Sequence, residues 1–299
     1  MERRQLEYFL AVADSGSFTG AALLLHVAQP SLSQAVKALE KEVGTPLFRR
    51  LPRGVAPTPA GDALLAPARQ VVRDLRTARA AVQNVVGLRG GTLDLAMLPA
   101  LTLDPLSTMI GRFRREHPSV HLYLAQPEQA TEVHELVRSG EVEIGFMDEL
   151  PIAGDDMVSE VVSTQPLWAA FPPGTELGAE HDVGWAELVA HGLICGGRGT
   201  LVRDLVDRWA AANGLGSPTP AIELGRRETG IYLVLAGAGV AAFPIAIARL
   251  AESLGAVVRP IENLPARTII SSRRAGPLSP AAAAFLSIVR SARGLAQEQ

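Results

Sequence analysis

Residues 17–44 read Ser17-Phe18-Thr19-Gly20-Ala21-Ala22-Leu23-Leu24-Leu25-His26-Val27-Ala28-Gln29-Pro30-Ser31-Leu32-Ser33-Gln34-Ala35-Val36-Lys37-Ala38-Leu39-Glu40-Lys41-Glu42-Val43-Gly44. The spacing predicts two short amphipathic helices meeting across a tight turn at His26-Val27. In the second of them Leu32, Val36 and Leu39 share one face. Gln29, Ser33, Gln34 and Lys37 share the opposite face, which is small and rich in hydrogen-bonding groups. Such a face suits the base edges exposed in a DNA major groove. Ser17 is an N-cap candidate for the first helix, because its hydroxyl can accept an orphan backbone N–H. Ala21, Ala22, Leu24 and Leu25 are expected to form that helix's buried side. Pro30 suits the first turn of the second helix, where a missing N–H costs nothing.

Upstream, Leu6, Phe9, Leu10 and Ala13 give another helix one apolar stripe, broken at Ser15-Gly16. Downstream, residues 47–50 and 55–56 read as the arms of a small wing, with Arg49, Arg50 and Arg53 placed to lie along a phosphate backbone. Thr58-Pro59 then signals a helix start. Leu64, Ala68, Val71, Leu75, Ala78, Val82 and Val85 follow at alternating spacings of 4 and 3, a heptad seam. Such a seam is buried against a partner, so self-association through this helix is expected. Gly87 and Gly90-Gly91 end it.

From residue 92 the pattern becomes alternating strands and helices: strands at 92–98, 120–125 and 143–147, helices at 106–116 and 132–139. Further strands fall within 158–170 and at 192–195, 240–243, 257–260 and 268–272. Helices are expected at 203–213, 230–238, 245–254 and 280–293. The β-α-β-α-β order predicts a parallel, doubly wound sheet.

Composition fits this division. The chain has 299 residues and a net charge of −3. Residues 1–91 hold twelve Arg and Lys against seven Asp and Glu, a net of +5, and the remainder carries −8. A basic front on an acidic body is expected where only the front meets phosphate. No apolar run reaches a membrane span of about 18 residues, and no apolar signal core opens the chain, so a cytoplasmic location without membrane contact is expected. Cys195 is the one cysteine, which excludes an internal disulfide and a cysteine metal cage.

Enzyme signatures fail on context. Gly237-Ala238-Gly239-Val240-Ala241-Ala242 mimics a dinucleotide fingerprint, but it follows a helix and leads into a strand, the reverse of what the chemistry requires. Gly196-Gly197-Arg198-Gly199-Thr200 lacks the lysine of a phosphate loop. His117 and His121 are separated by Pro118 and do not share a helix face as zinc ligands would. No nucleophile elbow is present. The reading is of a protein with no catalytic residues, no metal and no cofactor.

These residues resemble the LysR-type family of bacterial transcriptional regulators. The resemblance runs along essentially the whole chain and is strongest over residues 3–61. Its carriers there are Gln5-Leu6 with Phe9, Gly16-Ser17-Phe18-Thr19, Ala21-Ala22, Gln29-Pro30-Ser31-Leu32-Ser33, Leu39-Glu40, Gly44, Pro46-Leu47-Phe48, Arg50, Thr58 and Ala60-Gly61. In the body it is looser: Gly91-Thr92-Leu93, Phe113 with Pro118, Gly140 with Glu143, and Gly237-Ala238-Gly239-Val240.

The resemblance implies an N-terminal all-α winged helix-turn-helix over 1–58, a linker and dimerisation helix over 59–89, and an effector-binding domain over 92–299. That domain would be a two-lobed, doubly wound α/β unit like periplasmic binding proteins, with lobe one at 92–161 and 268–299 and lobe two at 162–267. The implied partners are double-stranded DNA at a dyad-symmetric operator with a T-N11-A core, a second copy of the chain in dimers that pair as tetramers, and RNA polymerase. DNA contacts carry over to Gln29, Pro30, Ser31, Ser33, Gln34, Lys37, Arg50 and Arg53. Three departures stand out: Ala28 replaces a capping Ser or Thr, Gln34 replaces a frequent Arg, and Ala56-Pro57 replaces a basic and an aliphatic residue. Gln favours adenine where Arg favours guanine, so a shifted base preference is expected.

A small-molecule effector is implied between the lobes. The candidates there are Ala100 and Thr102, Glu128 and Gln129, Asp148, and Arg198-Gly199-Thr200 at a helix start, with Arg226 and Arg227 adding positive charge. Acids on one lip and Arg198 on the other point to a polar or zwitterionic metabolite.

Overall fold

The computed structural model describes residues 1–84, 91–103, 105–148, 157–178, 182–198, 200–212, 214, 219–225 and 229–296. The N-terminal unit comprises α1 (Arg3–Ser15), α2 (Phe18–Leu24), α3 (Gln29–Val43) and a two-stranded wing, β1 (Phe48–Arg50) with β2 (Val55–Pro57). Helix α1 stops at Gly16, whose φ of 62° is the left-handed turn that glycine adopts without strain. Ser17 then caps α2, its hydroxyl accepting from Gly20 N at 3.2 Å. Leu6, Phe9, Leu39 and Leu47 form one apolar cluster, and Tyr8, Val12, Ala21, Ala22, Leu32 and Val36 form a second. Phe48 touches both, tilted against Phe9 at 5.3 Å and edge-on to Phe18 at 5.7 Å between ring centroids.

The expectation that Leu24 and Leu25 lie on the buried side of α2 is corrected. Leu24 is 69 % and Leu25 37 % exposed. Seven residues make barely two turns, and Ala21 with Ala22 supply the buried side of the helix, with Phe18 packed against the same cluster.

Helix α4 (Pro59–Asn84) starts where Thr58 caps it, Oγ1 accepting from Gly61 N at 3.1 Å while donating to Pro46 O at 2.7 Å. The body continues with β3 (Gly91–Met97), α5 (Pro99–Leu103), α6 (Leu106–Glu116), β4 (Val120–Ala125), α7 (Ala130–Arg138), β5 (Ile144–Asp148), β6 (Met157–Gln165), β7 (Leu167–Phe171), α8 (Trp185–Ala190) and β8 (Leu193–Gly196). It ends with α9 (Leu201–Ala212), β9 (Ile222–Leu224), α10 (Gly230–Leu235), β10 (Val240–Pro244), α11 (Ile245–Ser253), β11 (Val257–Pro260), β12 (Arg267–Arg274) and α12 (Pro280–Ala296).

Two five-stranded sheets result, ordered β4-β3-β5-β12-β6 in lobe one and β11-β7-β10-β8-β9 in lobe two. The expected parallel pairing holds for three strands of each sheet, and antiparallel strands extend it. Strands β4, β3 and β5 are parallel, as are β10, β8 and β9. But β12 runs antiparallel to β5 and β6, and β7 runs antiparallel to β10 and β11. The chain crosses between lobes at Pro166 and returns through residues 261–266, and a returning strand enters the sheet in whichever direction the crossing sets. Strand β5 is buried at all five positions, as a strand covered on both faces must be. Lobe one has a single core, whereas lobe two packs one cluster on each side of its sheet. Gly239 belongs to a close backbone approach: its φ is 149° and an added Cβ would collide with the Gly192 carbonyl. Among the described residues no helix is long and apolar enough to cross a membrane.

Candidate DNA-binding face and interlobe cavity

Helix α3 turns Leu32, Val36 and Leu39 fully inward, at 0, 1 and 0 % exposure. Gln29, Pro30, Ser31, Gln34 and Lys37 are exposed and Ser33 is half-buried, so the six lie together along the outer side of one helix. Ala28 is the N-cap and makes no side-chain cap. The C-terminal end is tied to the wing, since Glu40 Oε1 accepts from Leu47 N at 2.8 Å and Phe48 N at 3.3 Å. The wing is in turn held to the α1–α2 turn by Val55 N donating to Gly16 O at 2.9 Å. Arg50 and Arg53 project from it, exposed. A helix bearing small polar groups beside a basic hairpin can enter a groove and grip the flanking phosphates.

The heptad positions of α4 divide. Leu64 and Ala68 pack into the core of their own subunit against Leu6, Phe9 and Leu39, Ala68 being 1 % exposed. Val71 and Leu75 stay 41 % and 40 % exposed, and Ala78 is also exposed. The side chain of Val82 and all of Val85 lie outside the described residues. Arg69 on α4 pairs with Asp14 of α1 at 2.5 Å and with Glu141 of lobe one at 3.6 Å. Arg73 donates to the Gly140 carbonyl, and its pKa is lowered by burial and by the nearby Arg274.

Between the lobes lies a cavity of about 390 Å³. Lobe one contributes Pro99, Ala100, Thr102, Leu103 and Gln126; lobe two contributes residues of β8, α9, α10, β10 and α11; Arg267 lies at the return crossing. Most of the lining is apolar, including Val206, Ile231 and Phe243. Thr102 and Gln126 are paired, Gln126 Nε2 donating to Thr102 Oγ1 at 2.6 Å. Asp148, at the end of β5, is 4 % exposed and pairs with Arg267, 1 % exposed, through Nε at 2.5 Å. Arg203 pairs with Asp207 at 2.9 Å and Glu223 at 3.6 Å. Cys195 lines the cavity too, and burial pushes its thiol up to about 11, leaving it protonated at neutral pH and a poor nucleophile.

Ala100 and Thr102 of the sequence-derived effector set reach this lining, and Asp148 touches it through Arg267. Glu128, Gln129, Arg198 and Thr200 are not among its lining residues. Gln129 instead caps α7, where its N–H donates to Glu132 Oε2 at 3.2 Å. Thr200 folds back, its hydroxyl donating to Gly197 O at 2.9 Å. Gly199, Arg226 and Arg227 lie outside the described residues. Sequence reasoning missed Arg267. It opens β12, a strand that also carries Arg273 and Arg274, so it does not stand out locally, and its meeting with Asp148 follows from an antiparallel register set 119 positions away.

Comparison with known proteins bears on both sites. Residues 3–62 match the model for the bacterial regulatory helix-turn-helix protein, lysR family, and residues 86–294 match that for the LysR substrate binding domain. The chain is 36 % identical over 174 residues to the nitrogen assimilation regulatory protein nac of Klebsiella aerogenes, an alignment spanning 56 % of this chain and 55 % of that one. A full-length OxyR from Pseudomonas aeruginosa, in a cysteine-to-aspartate variant, superposes with a TM-score of 0.77 at 25 % identity, covering 98 % of this chain and 95 % of its own. Full-length CbnR complexed with target DNA superposes with a TM-score of 0.58 at 25 % identity, covering 98 % of this chain and 100 % of its own.

Proposed function

Because the chain belongs to the LysR family of bacterial transcriptional regulators, we propose that it reads a dyad-symmetric operator with a T-N11-A core through α3 and the wing, and that a small molecule between its lobes governs the outcome. That it is a DNA-binding regulator with an effector-binding domain follows from family membership. The exposed polar side of α3 beside Arg50 and Arg53 carries the finer reading. In it, Gln29, Ser33 and Gln34 meet base edges. Pro30, Ser31, Lys37, Arg50 and Arg53 meet the backbone. Dimers pair through the exposed part of the α4 seam, and half-sites lie about one helical turn, or a multiple, apart. Effector binding favours one arrangement of the lobes, which shifts how dimers pack and how RNA polymerase meets the bound DNA.

An electrophoretic mobility assay on DNA upstream of the gene tests this. Retardation should fall steeply with salt, and Lys37→Ala should lower the log–log salt slope by about one, as losing one phosphate contact does. Binding-site selection with Gln34→Arg should move a consensus adenine toward guanine. Salt-insensitive binding, or identical consensus sequences, would end the assignment of these residues.

A further inference from the structure

Helix α7 has one end at the interlobe cavity and the other at α4. Its N-terminal end follows the loop that carries Gln126, a cavity-lining residue bonded to Thr102 of α5. Its C-terminal end closes in a Schellman turn. Gly140 N donates there to Val137 O at 3.0 Å and Glu141 N to Leu136 O at 2.9 Å, with Gly140 at a φ of 77°. Nine residues, each rising about 1.5 Å, set the two ends about 13 Å apart. Along that length α7 rests on β5. Val133 and Val137 are fully buried and lie over Gly145, where an added Cβ would collide with both. Gly145 offers no side chain to key the helix against motion along its axis.

Two guanidinium groups meet the carbonyls of the closing turn. Arg274 of β12, in the same lobe, donates to Arg138 O at 3.0 Å. Arg73 reaches in from α4 and donates to Gly140 O, while its Nη2 donates to Gln70 Oε1 at 2.8 Å. Gly140 admits it, since an added Cβ would collide with the guanidinium. A cation at a helix C-terminus suits the dipole. Arg73 is nonetheless poorly matched. Both of these acceptors are uncharged, and among the described residues no carboxylate forms an ion pair with it. Burial lowers its pKa, and so does the neighbouring Arg274, against the opposing pulls of Glu143 and Asp74. Beside it Gln70, Glu143 and Arg274 border a cavity of about 20 Å³, room for a single water and for the guanidinium to shift.

With the interlobe cavity read as the effector site, we propose that α7 is the rod that carries the state of that cavity to α4: a shift of the Gln126 loop moves α7 on β5 and makes or breaks the Arg73–Gly140 contact, which sets the angle of α4 on lobe one. The contact has the properties of a catch. One side chain makes it, its acceptors are neutral, and a like charge stands next to it. It is strong enough to favour one arrangement and too weak to forbid the other, as a two-state element requires.

Amide hydrogen exchange on the full-length protein, free of DNA and of small molecules, tests this. Arg73→Met should speed exchange in residues 138–142 about tenfold, the ratio given by one hydrogen bond from a charged donor. Gln126→Ala releases the loop from Thr102 and lies in neither segment, yet it should speed exchange in 138–142 and in 70–78 of α4 by roughly twofold or more, the low end of long-range coupling. In the Arg73→Met background Gln126→Ala should leave 70–78 unchanged, because the catch is already open. Arg73→Lys keeps a cation and a donor for the Gly140 carbonyl, and should keep the response. Gln70→Ala removes the second acceptor of Arg73 and should weaken the response, which serves where Arg73→Met does not fold. A Gln126→Ala effect confined to its own loop, or one that reaches 70–78 undiminished in both Arg73→Met and Gln70→Ala, would overturn the proposal. These readouts use neither DNA nor ligand, so their failure is distinct from failure of the regulatory reading, which the mobility assay addresses.

Discussion

Glu143 immediately precedes β5, and its carboxylate accepts from the Ser279 N–H at 2.6 Å and the Ser279 hydroxyl at 2.7 Å. Burial nevertheless raises its pKa above the ordinary 4.5, against the opposing pull of these hydrogen bonds and of Arg73. The folded state therefore binds this proton more readily than the unfolded chain. The protein loses stability as pH rises from 4.5 through the folded-state value, and has this site's full contribution below that window. Glu143→Gln should remove the loss, so the gap in thermal unfolding temperature between variant and native protein should widen with pH across that range. Parallel curves would show that the carboxylate is not held in this way. At the same scale, the outer residues of α3 were legible because an amphipathic helix puts its polar residues outside by periodicity alone. Arg267 was not legible, because nothing local records which strand lies next to β12.

Helices and strands of ordinary length were legible almost throughout. The bounds of α6, β4 and β11 match the sequence pattern residue for residue. The elements that escaped were short. Helix α5 has five residues, α8 six and β9 three, too few for a period to establish itself. Helix α4 shows a second limit. Its heptad spacing was correct as a pattern, but spacing does not say which part of a seam faces which neighbour. The first two positions are taken by the subunit's own core, which leaves Val71 and Leu75, with the smaller Ala78, as exposed seam positions among those described. Changing both to Glu should yield monomers by analytical ultracentrifugation, with each substitution altering subunit stability by only about 0.5 kcal/mol because neither residue is in the core. Dimers that persist at micromolar concentration would move the self-association surface off α4.

Across the molecule, the basic front and acidic body meet at Arg69. One guanidinium joins α1 through Asp14, α4 through its own backbone and lobe one through Glu141. Exposed pairs of this kind add little to stability, since Asp14 and Glu141 are 56 % and 53 % exposed at their side chains. Their value lies in orientation. Arg69→Ala should leave the unfolding temperature nearly unchanged yet broaden the small-angle scattering distance distribution, as the N-terminal unit gains freedom relative to the body. An unchanged distribution would show that other contacts fix the arrangement. The charge division was visible in composition, whereas Arg69 as a bridge across it was not, because Arg69 looks like any other arginine on an amphipathic helix.

The double passage of the chain between the lobes has a mechanical consequence. Two bodies joined at one point can swivel freely, but joined at Pro166 and again at 261–266 they keep a single easy motion, a hinge about the line through both joints. Arg267 adjoins that line and travels least as the jaws open or shut. The walls farthest from that line travel most, so bulk placed between them has the greatest leverage on the angle at which the jaws come to rest.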